Sequence, residues 1–233
     1  MTKKIKVNGT IISDNLQRIY DWIGLEATSP SKVIGALPID GRDVEISINS
    51  GGGDVFAGSE IFTALKEYSG NVTVKIVGIA ASAASVIAMA GDKVLISPTA
   101  QMMIHNVSTA VGGDYRTFEH TAEVLKSANQ SIANAYKQRT NKSDDELKSL
   151  MDAETWFNAQ SAVEQGFADE VMFEEAKQEP TLVANGGSVM LNEDVINKIL
   201  EMMDQDKPSS TVEGNDQLQA RLKLLKLGGI HNG

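Results

Sequence analysis

The chain has 233 residues, 42% hydrophobic and 22% charged, which is enough apolar material for one large domain with an appendage or for two small domains. With 31 acidic against 21 basic residues its formal net charge is -10, which argues against non-specific nucleic-acid binding and against docking on anionic membranes. It has no cysteine, so disulfides, thiolate metal sites and cysteine nucleophiles are excluded.

The start, Met1-Thr-Lys-Lys-Ile-Lys-Val7, lacks the apolar core of a signal peptide. No uncharged apolar run approaches the ~18 residues of a membrane span, so the expectation is a soluble, cytoplasmic protein. Ile5–Ile12 reads as a strand broken at Asn8-Gly9, and Asn15–Gly24 as an amphipathic helix carrying Leu16, Ile19, Tyr20 and Ile23. Ser29–Leu37 suggests another helix, followed by a loop at Pro38–Arg42. Val44–Ile48 alternates as a strand, runs into Asn49-Ser-Gly-Gly-Gly-Asp54, and leads to a helix from Val55 to Tyr68. The β-branched run Val72–Val77, the stretch Gly78-Ile-Ala-Ala-Ser-Ala-Ala-Ser85 and the apolar Val86–Ala90 repeat that strand–turn–helix order. Further strands are expected at Lys93–Ile96 and Gln101–His105. A mainly parallel sheet covered by helices follows from the alternation.

After Gly112-Gly113, apolar or small residues at Phe118, Ala122, Leu125, Ala128, Ile132 and Ala135 step by three and four, predicting a helix over Asp114–Arg139. A helix of ~25 residues is nearly 40 Å long, longer than a single-domain core needs, so contact with another subunit is expected of it. Asn141-Lys-Ser143 breaks the pattern, with Ser143 capping Asp144–Met151. Trp156–Gly166 predicts one more helix and Phe167–Val171 a closing strand. Composition then changes. Glu174–Gly187 and Lys207–Asn215 read as linkers, Glu193–Met203 and Gln217–Leu227 as short helices. This places a globular domain at 1–173 and a linker with a partly helical or disordered tail at 174–233.

Three features bear on chemistry. Ser82 sits at a strand-to-helix junction, where first-turn N–H groups and the helix dipole favour negative charge and alanine neighbours leave room for a substrate backbone. The same position also suits a plain N-cap serine. His105 leaves a strand on the same presumed sheet edge and is the preferred base, although a satisfied core histidine would look alike. His120 lies on a charged helix face and His231 in the tail. The glycine run 51–53 lets backbone N–H groups turn toward an anion. It does not have the spacing of a phosphate cradle, and Asp54 would repel a phosphate. A single developing oxyanion fits better, which suits acyl transfer.

Four segments, in order and spacing, resemble the ClpP serine peptidase family: Ile48-Asn-Ser-Gly-Gly-Gly-Asp-Val-Phe-Ala-Gly58, Gly78–Ser85, Met103-Ile-His105 and Ala162-Val-Glu-Gln-Gly-Phe-Ala-Asp169. The resemblance covers residues 5–172. It implies an α/β fold of the ClpP/crotonase type, built of repeated β-β-α units with a long handle helix. It makes Ser82 the nucleophile and His105 the general base, with backbone N–H groups of Gly53 (or Gly52) and Ala83 as the oxyanion hole. The family's third member, an aspartate, aligns with Glu154, and Asp152 is the fallback. Ser85, one turn on, is a rival nucleophile without the junction position. Neither cofactor nor metal is implied.

Ile19-Tyr-Asp-Trp22, Ala80–Ser85 and Glu154-Thr-Trp-Phe157 look like the phage and prophage branch, which is associated with capsid maturation. The implied partners are copies of the chain, stacked as rings through helix 114–139, and a protein or peptide substrate such as a capsid or scaffold protein. The chain starts almost at its first strand, without the family's N-terminal segment for an ATP-driven unfoldase, which counts against that partner. Asn-Ser-Gly-Gly-Gly in place of Asn-Ser-Pro-Gly-Gly predicts a less rigid glycine loop. The rival readings are a crotonase-like acyl-CoA enzyme, a ring-forming assembly protein with a degenerate site, a general ClpP-type degradative subunit working with an unfoldase, and a membrane Ser–Lys peptidase. The last lacks an anchor and an evident lysine base.

Overall fold

The computed structural model describes residues 2–174. The segments beyond 174 that the sequence divides into linkers and helices, and His231 with them, lie outside the described residues.

An eight-stranded sheet is built from β1 (Lys3–Ile11), β2 (Ala27–Thr28), β3 (Val44–Gly53), β4 (Val72–Ala81), β5 (Lys93–Ile96), β6 (Gln101–Ile104), β7 (Thr155–Asn158) and β8 (Glu170–Val171). Its main path runs β2-β1-β3-β4-β5-β8 and is parallel throughout. The helices are α1 (Asp14–Ile23), α2 (Pro30–Ile34), α3 (Val55–Glu67), α4 (Ala83–Ala88), α5 (Tyr115–Thr140), α6 (Asp144–Asp152) and α7 (Ala159–Glu164). The mixed architecture agrees with the expected α/β class.

The central strand β4 changes partner along one edge. Thr73–Ile76 pair with β5, whereas Ile79–Ala81 pair with β6. On its other edge β3 stays paired along most of its length, with a register shift between Ile48 and Ser50. Asn49 spans that shift by accepting a hydrogen bond from Ile79 N–H at 3.3 Å. The consequence is that the glycine end of β3, the end of β4 and the end of β6 emerge side by side.

Side chains alternate as the pleat requires. Val44, Ile46 and Ile48 on β3 and Val72, Val74 and Ile76 on β4 are buried with Ile61 and Leu65 of α3 and Ile87 of α4. The alternate positions are polar: Glu45 sits 2.7 Å from Lys75 and 3.6 Å from Lys4. Tyr136 of α5 is fully buried and meets Phe167 edge-on, with ring centroids 5.9 Å apart. Phe157 lies 4.8 Å from the same ring.

Several sequence expectations are corrected. Asn8-Gly9 does not break β1; the strand continues through a register shift, and Gly9 takes a left-handed φ of 67°. The helix expected from Ser29 to Leu37 shortens to α2. Trp156–Asn158, expected as helix, belongs to β7, because the two aromatics and the β-branched Thr155 before them zip antiparallel onto the open edge of β6 and bury Phe157. The helix proper begins at Ala159, with Asn158 Oδ1 accepting from Ser161 N–H. The strand expected over Phe167–Val171 is confined to β8. Ser143 caps α6 in a full capping box with Glu146, as expected.

Among the described residues nothing covers the apolar stripe of α1 or most of the first half of α5. No residue of α1 is buried, and Tyr115, Phe118 and Val124 of α5 are exposed; α5 joins the core only from Ile132 on.

Gly9 is the tightest point of the β1–β2 corner, since a Cβ there would stand 2.0 Å from the Glu26 carbonyl oxygen. Gly9→Ala is expected to cost about 2 kcal/mol through strain and displaced backbone. That corresponds to a fall of roughly 4–8 °C in the thermal midpoint, and an unchanged midpoint would contradict this account of the corner.

Candidate active site

β4 ends at Ala81 and α4 begins at Ala83, so Ser82 alone makes the turn between them. It does so at φ 54° and ψ -125°, a conformation that side-chain-bearing residues rarely adopt. Such strain persists only where neighbours over-determine it. Here the Ser82 N–H donates to the Met103 carbonyl on β6 at 3.0 Å. Its carbonyl accepts from Ser85 N–H at 2.9 Å and Val86 N–H at 3.3 Å. The sharp turn leaves Ser82 half-buried at the mouth of a cleft, while every residue of the following helix is buried. Ser82 makes no side-chain cap bond to α4, so the plain N-cap reading fails.

The β4–β6 register, Ala81 opposite Met103, brings the two strand exits together. His105 stands one residue beyond β6, half-buried, with Nε2 2.8 Å from Ser82 Oγ. In the neutral tautomer with the proton on Nδ1, Nε2 accepts from the hydroxyl. That is the geometry needed to take its proton as the oxygen attacks.

The glycine loop closes the site from β3. Ser50 is buried; its Oγ donates to the Gly9 carbonyl at 2.6 Å and accepts from Gly52 N–H at 3.1 Å. Gly52 packs directly behind the serine, and Gly53 backs onto β1, where a Cβ would stand 2.1 Å from the Ile11 carbonyl oxygen. Asp54 caps α3 by accepting from Phe56 and Ala57 N–H groups. Gly53, Ser82, Ala83 and His105 line one cavity of about 540 Å³, whose far wall includes Val86, Leu125 and Ile132. The N–H of Gly52 is already engaged by Ser50, whereas Gly53 and Ala83 line the cavity.

The expected carboxylate contact is not made. Among the described residues no hydrogen bond joins His105 to an acid. Asp152 accepts instead from Asn106 Nδ2 and Lys148 Nζ, each at 2.8 Å, and these partners, Lys148 foremost, hold its carboxyl below the usual range. Glu154 is exposed, with φ 48°. The antiparallel pairing of β6 with β7 ends at Ile104 opposite Thr155, and one further step of that register sets Glu154 opposite His105. The left-handed turn at Glu154 interrupts the ladder before that pair forms.

Ser85, the rival nucleophile, is fully buried and hydrogen-bonded, so it is closed to substrate. His120 is exposed on α5, apart from the site residues. Two supporting contacts were not singled out from sequence. Ser50 is a small polar residue inside the glycine motif, where its burial leaves no mark in the sequence. Asn129 of α5 accepts from Val107 N–H at 2.7 Å and so anchors the segment leaving His105; a lone asparagine on a helix face carries no signal that it holds a distant loop.

Comparison with known proteins follows the same residues. The family model described as Clp protease matches residues 36–175. The chain is 28% identical over 148 residues to the ATP-dependent Clp protease proteolytic subunit 1 of Leifsonia xyli subsp. xyli, covering 63% of this chain and 73% of that one. It is 34% identical over 134 residues to the ATP-dependent Clp protease proteolytic subunit of Bacteroides fragilis, covering 57% and 65%. With subunit 2 of Rhodococcus jostii it shares 32% over 133 residues, covering 56% and 68%.

A methyl group at Gly52 would stand 2.7 Å from Ser82 Cβ and 2.6 Å from the Ala81 carbonyl oxygen. Gly52→Ala is therefore expected to displace the serine and to slow its labelling by a fluorophosphonate roughly a hundredfold. Labelling at the unaltered rate would show that the loop does not set the position of Ser82.

Proposed function

The chain belongs to the Clp protease family of serine peptidases, and on that footing we propose that Ser82 is its nucleophile, acting through an acyl-enzyme on extended segments of protein substrates. The observation that carries this is the 2.8 Å contact between Ser82 Oγ and His105 Nε2 at the edge of an open cavity. His105 takes the serine proton as Oγ attacks the peptide carbonyl, then gives it to the leaving amine. The second half repeats the cycle with water as nucleophile. Charge that develops on the carbonyl oxygen is held by the N–H groups of Gly53 and Ala83. Ala83 adds the positive end of its short helix, and Gly52 acts behind them by fixing the loop. Glu154 is the third member of the site. Straightening the turn at Glu154 would extend the β6–β7 register by one step and set its carboxylate opposite His105, where it fixes the tautomer at Nδ1 and stabilises the imidazolium. The peptidase domain is assigned to 1–173. Copies of the chain associate through α5, whose Tyr115, Phe118 and Val124 are exposed in the single chain.

The substrate reading favoured here is processing of capsid or scaffold proteins without an ATPase. It is supported by the phage-like segments Ile19–Trp22, Ala80–Ser85 and Glu154–Phe157. A second reading, a general Clp-type subunit fed by an ATP-driven unfoldase, is favoured by the names of the relatives, which are ATP-dependent proteolytic subunits.

Ser82→Ala is expected to abolish cleavage of an unfolded protein and labelling by a fluorophosphonate; full activity in the variant would rule out this nucleophile. Glu154→Gln is expected to lower kcat at least about a hundredfold with KM little changed. If Asp152→Asn has that effect and Glu154→Gln does not, the carboxylate assignment passes to Asp152. Cleavage of an unfolded protein by the purified chain without nucleotide supports the uncoupled reading, and an absolute requirement for an ATPase with ATP supports the other.

A further inference from the structure

Ser85 and Tyr136 form a buried polar contact inside an otherwise apolar interface between α4 and α5. Both are fully buried, and their hydroxyl oxygens lie 2.8 Å apart. Ser85 Oγ also lies 2.6 Å from the carbonyl oxygen of Ser82. The donors can be assigned without seeing a hydrogen. A carbonyl only accepts, so the single Ser85 proton is committed to Ser82, and the Tyr136 hydroxyl must donate to Ser85. A directed chain therefore runs from Tyr136 through Ser85 to the backbone of Ser82. Burial pushes the Tyr136 phenol above its ordinary range, outweighing its contact with Ser85, so the donor keeps its proton at any working pH.

We propose that Ser85 and Tyr136 are positioning residues that hold the nucleophile's backbone in its left-handed turn, and that they tie its geometry to the seating of α5. The proposal rests on Ser82 being the nucleophile. The φ and ψ of Ser82 are fixed by what its N–H and C=O meet. The N–H is held by Met103 on β6, which sets one side of the turn. On the other side the carbonyl receives Ser85 N–H, Val86 N–H and the Ser85 hydroxyl, and the hydroxyl is the shortest of the three. Turning the carbonyl away rotates ψ and swings Oγ off the imidazole. Tyr136 supplies the second requirement: its donated proton is the second contact that fixes the Ser85 rotamer, beside Ser85's own bond to the Ser82 carbonyl. Because Tyr136 belongs to the buried part of α5, any shift of that helix against α4 reaches Ser82 through two hydrogen bonds. The arrangement leaves both hydroxyls partnered, which explains their tolerance in the core.

The test compares the full-length protein with Tyr136→Phe, Ser85→Ala and the double variant. Tyr136→Phe keeps the ring on Phe167, and the double variant leaves no buried hydroxyl orphaned. The readouts are kcat and KM for an unfolded substrate and the rate of fluorophosphonate labelling, with the labelled residue mapped. Ser85→Ala is expected to lower kcat and the labelling rate together by roughly ten- to a hundredfold with KM unchanged, and Tyr136→Phe by less. The double variant should lose no more than Ser85→Ala alone, because both substitutions cut one chain. A folded double variant with the wild-type kcat and labelling rate would overturn the proposal, as would a change confined to KM. If the double variant does not fold, Tyr136→Phe alone decides: wild-type kcat and labelling rate in that isosteric variant overturn the proposal equally. Wild-type protein labelled at Ser82, beside unlabelled Ser82→Ala, keeps the peptidase reading standing whichever way the variants fall. Wild-type protein that is not labelled at Ser82 removes that reading, and this proposal with it.

Discussion

The site depends on one residue held in a conformation that its side chain disfavours. Ser82 turns the chain from β4 into α4 within a single residue, at a φ of 54° that its side chain disfavours. What holds the turn is distributed over three neighbours: β6 fixes the N–H, α4 fixes the carbonyl, and the backbone of Gly52 fills the space behind the Cβ. Each of these exists for ordinary reasons of pairing and packing. Their convergence follows from the place where β4 changes partner from β5 to β6.

The same logic explains how a loop of three glycines stays ordered without the proline that the resemblance leads one to expect. A glycine-rich chain has much conformational freedom to lose. Here the buried Ser50 hydroxyl bridges the loop's own Gly52 N–H to the Gly9 carbonyl of β1, and Asp54 N–H bonds the Ile11 carbonyl. The loop is thus stitched to the sheet on both sides of Gly52 and Gly53. Side chains are excluded at both positions by contact with backbone, at Ala81 in one case and at Ile11 in the other. Rigidity supplied elsewhere by a ring comes here from tertiary hydrogen bonds.

The incomplete acid–base relay fits the exposure of the elements around it. Serine and histidine are already in contact, but Glu154 stands one step beyond the end of the β6–β7 ladder, and the neighbouring Asp152 is occupied by Asn106 and Lys148. Those groups lie on α6 and on the segment leaving β6, close to α5, whose Tyr115, Phe118 and Val124 are exposed. In the proposed assembly, contact at α5 falls beside the segment that carries Asn106, Lys148 and Asp152. A network of this kind is completed more readily by docking than by local fluctuation, because docking fixes several side chains at once.

The sequence by itself determined the α/β class, the identity of the nucleophile and base candidates, and the glycine loop, because these are local signals. Period-two apolar runs, a serine flanked by alanines at a strand end, and glycines before a helix are visible in consecutive residues. It also located the long helix α5 almost to the residue, since a stepping apolar pattern over many turns is hard to mistake. Tertiary structure alone decided the rest. Trp156 and Phe157 became strand because β6 had an edge to offer; Asn8-Gly9 became a bulge because β1 had partners on both sides. The Gly52 N–H was taken up by the Ser50 hydroxyl, and Ser85, the rival nucleophile, was buried against Tyr136, 51 positions away. Hydrogen-bond partners distant in the chain leave no local pattern, so only the folded arrangement reveals which polar groups are spoken for and which face the substrate.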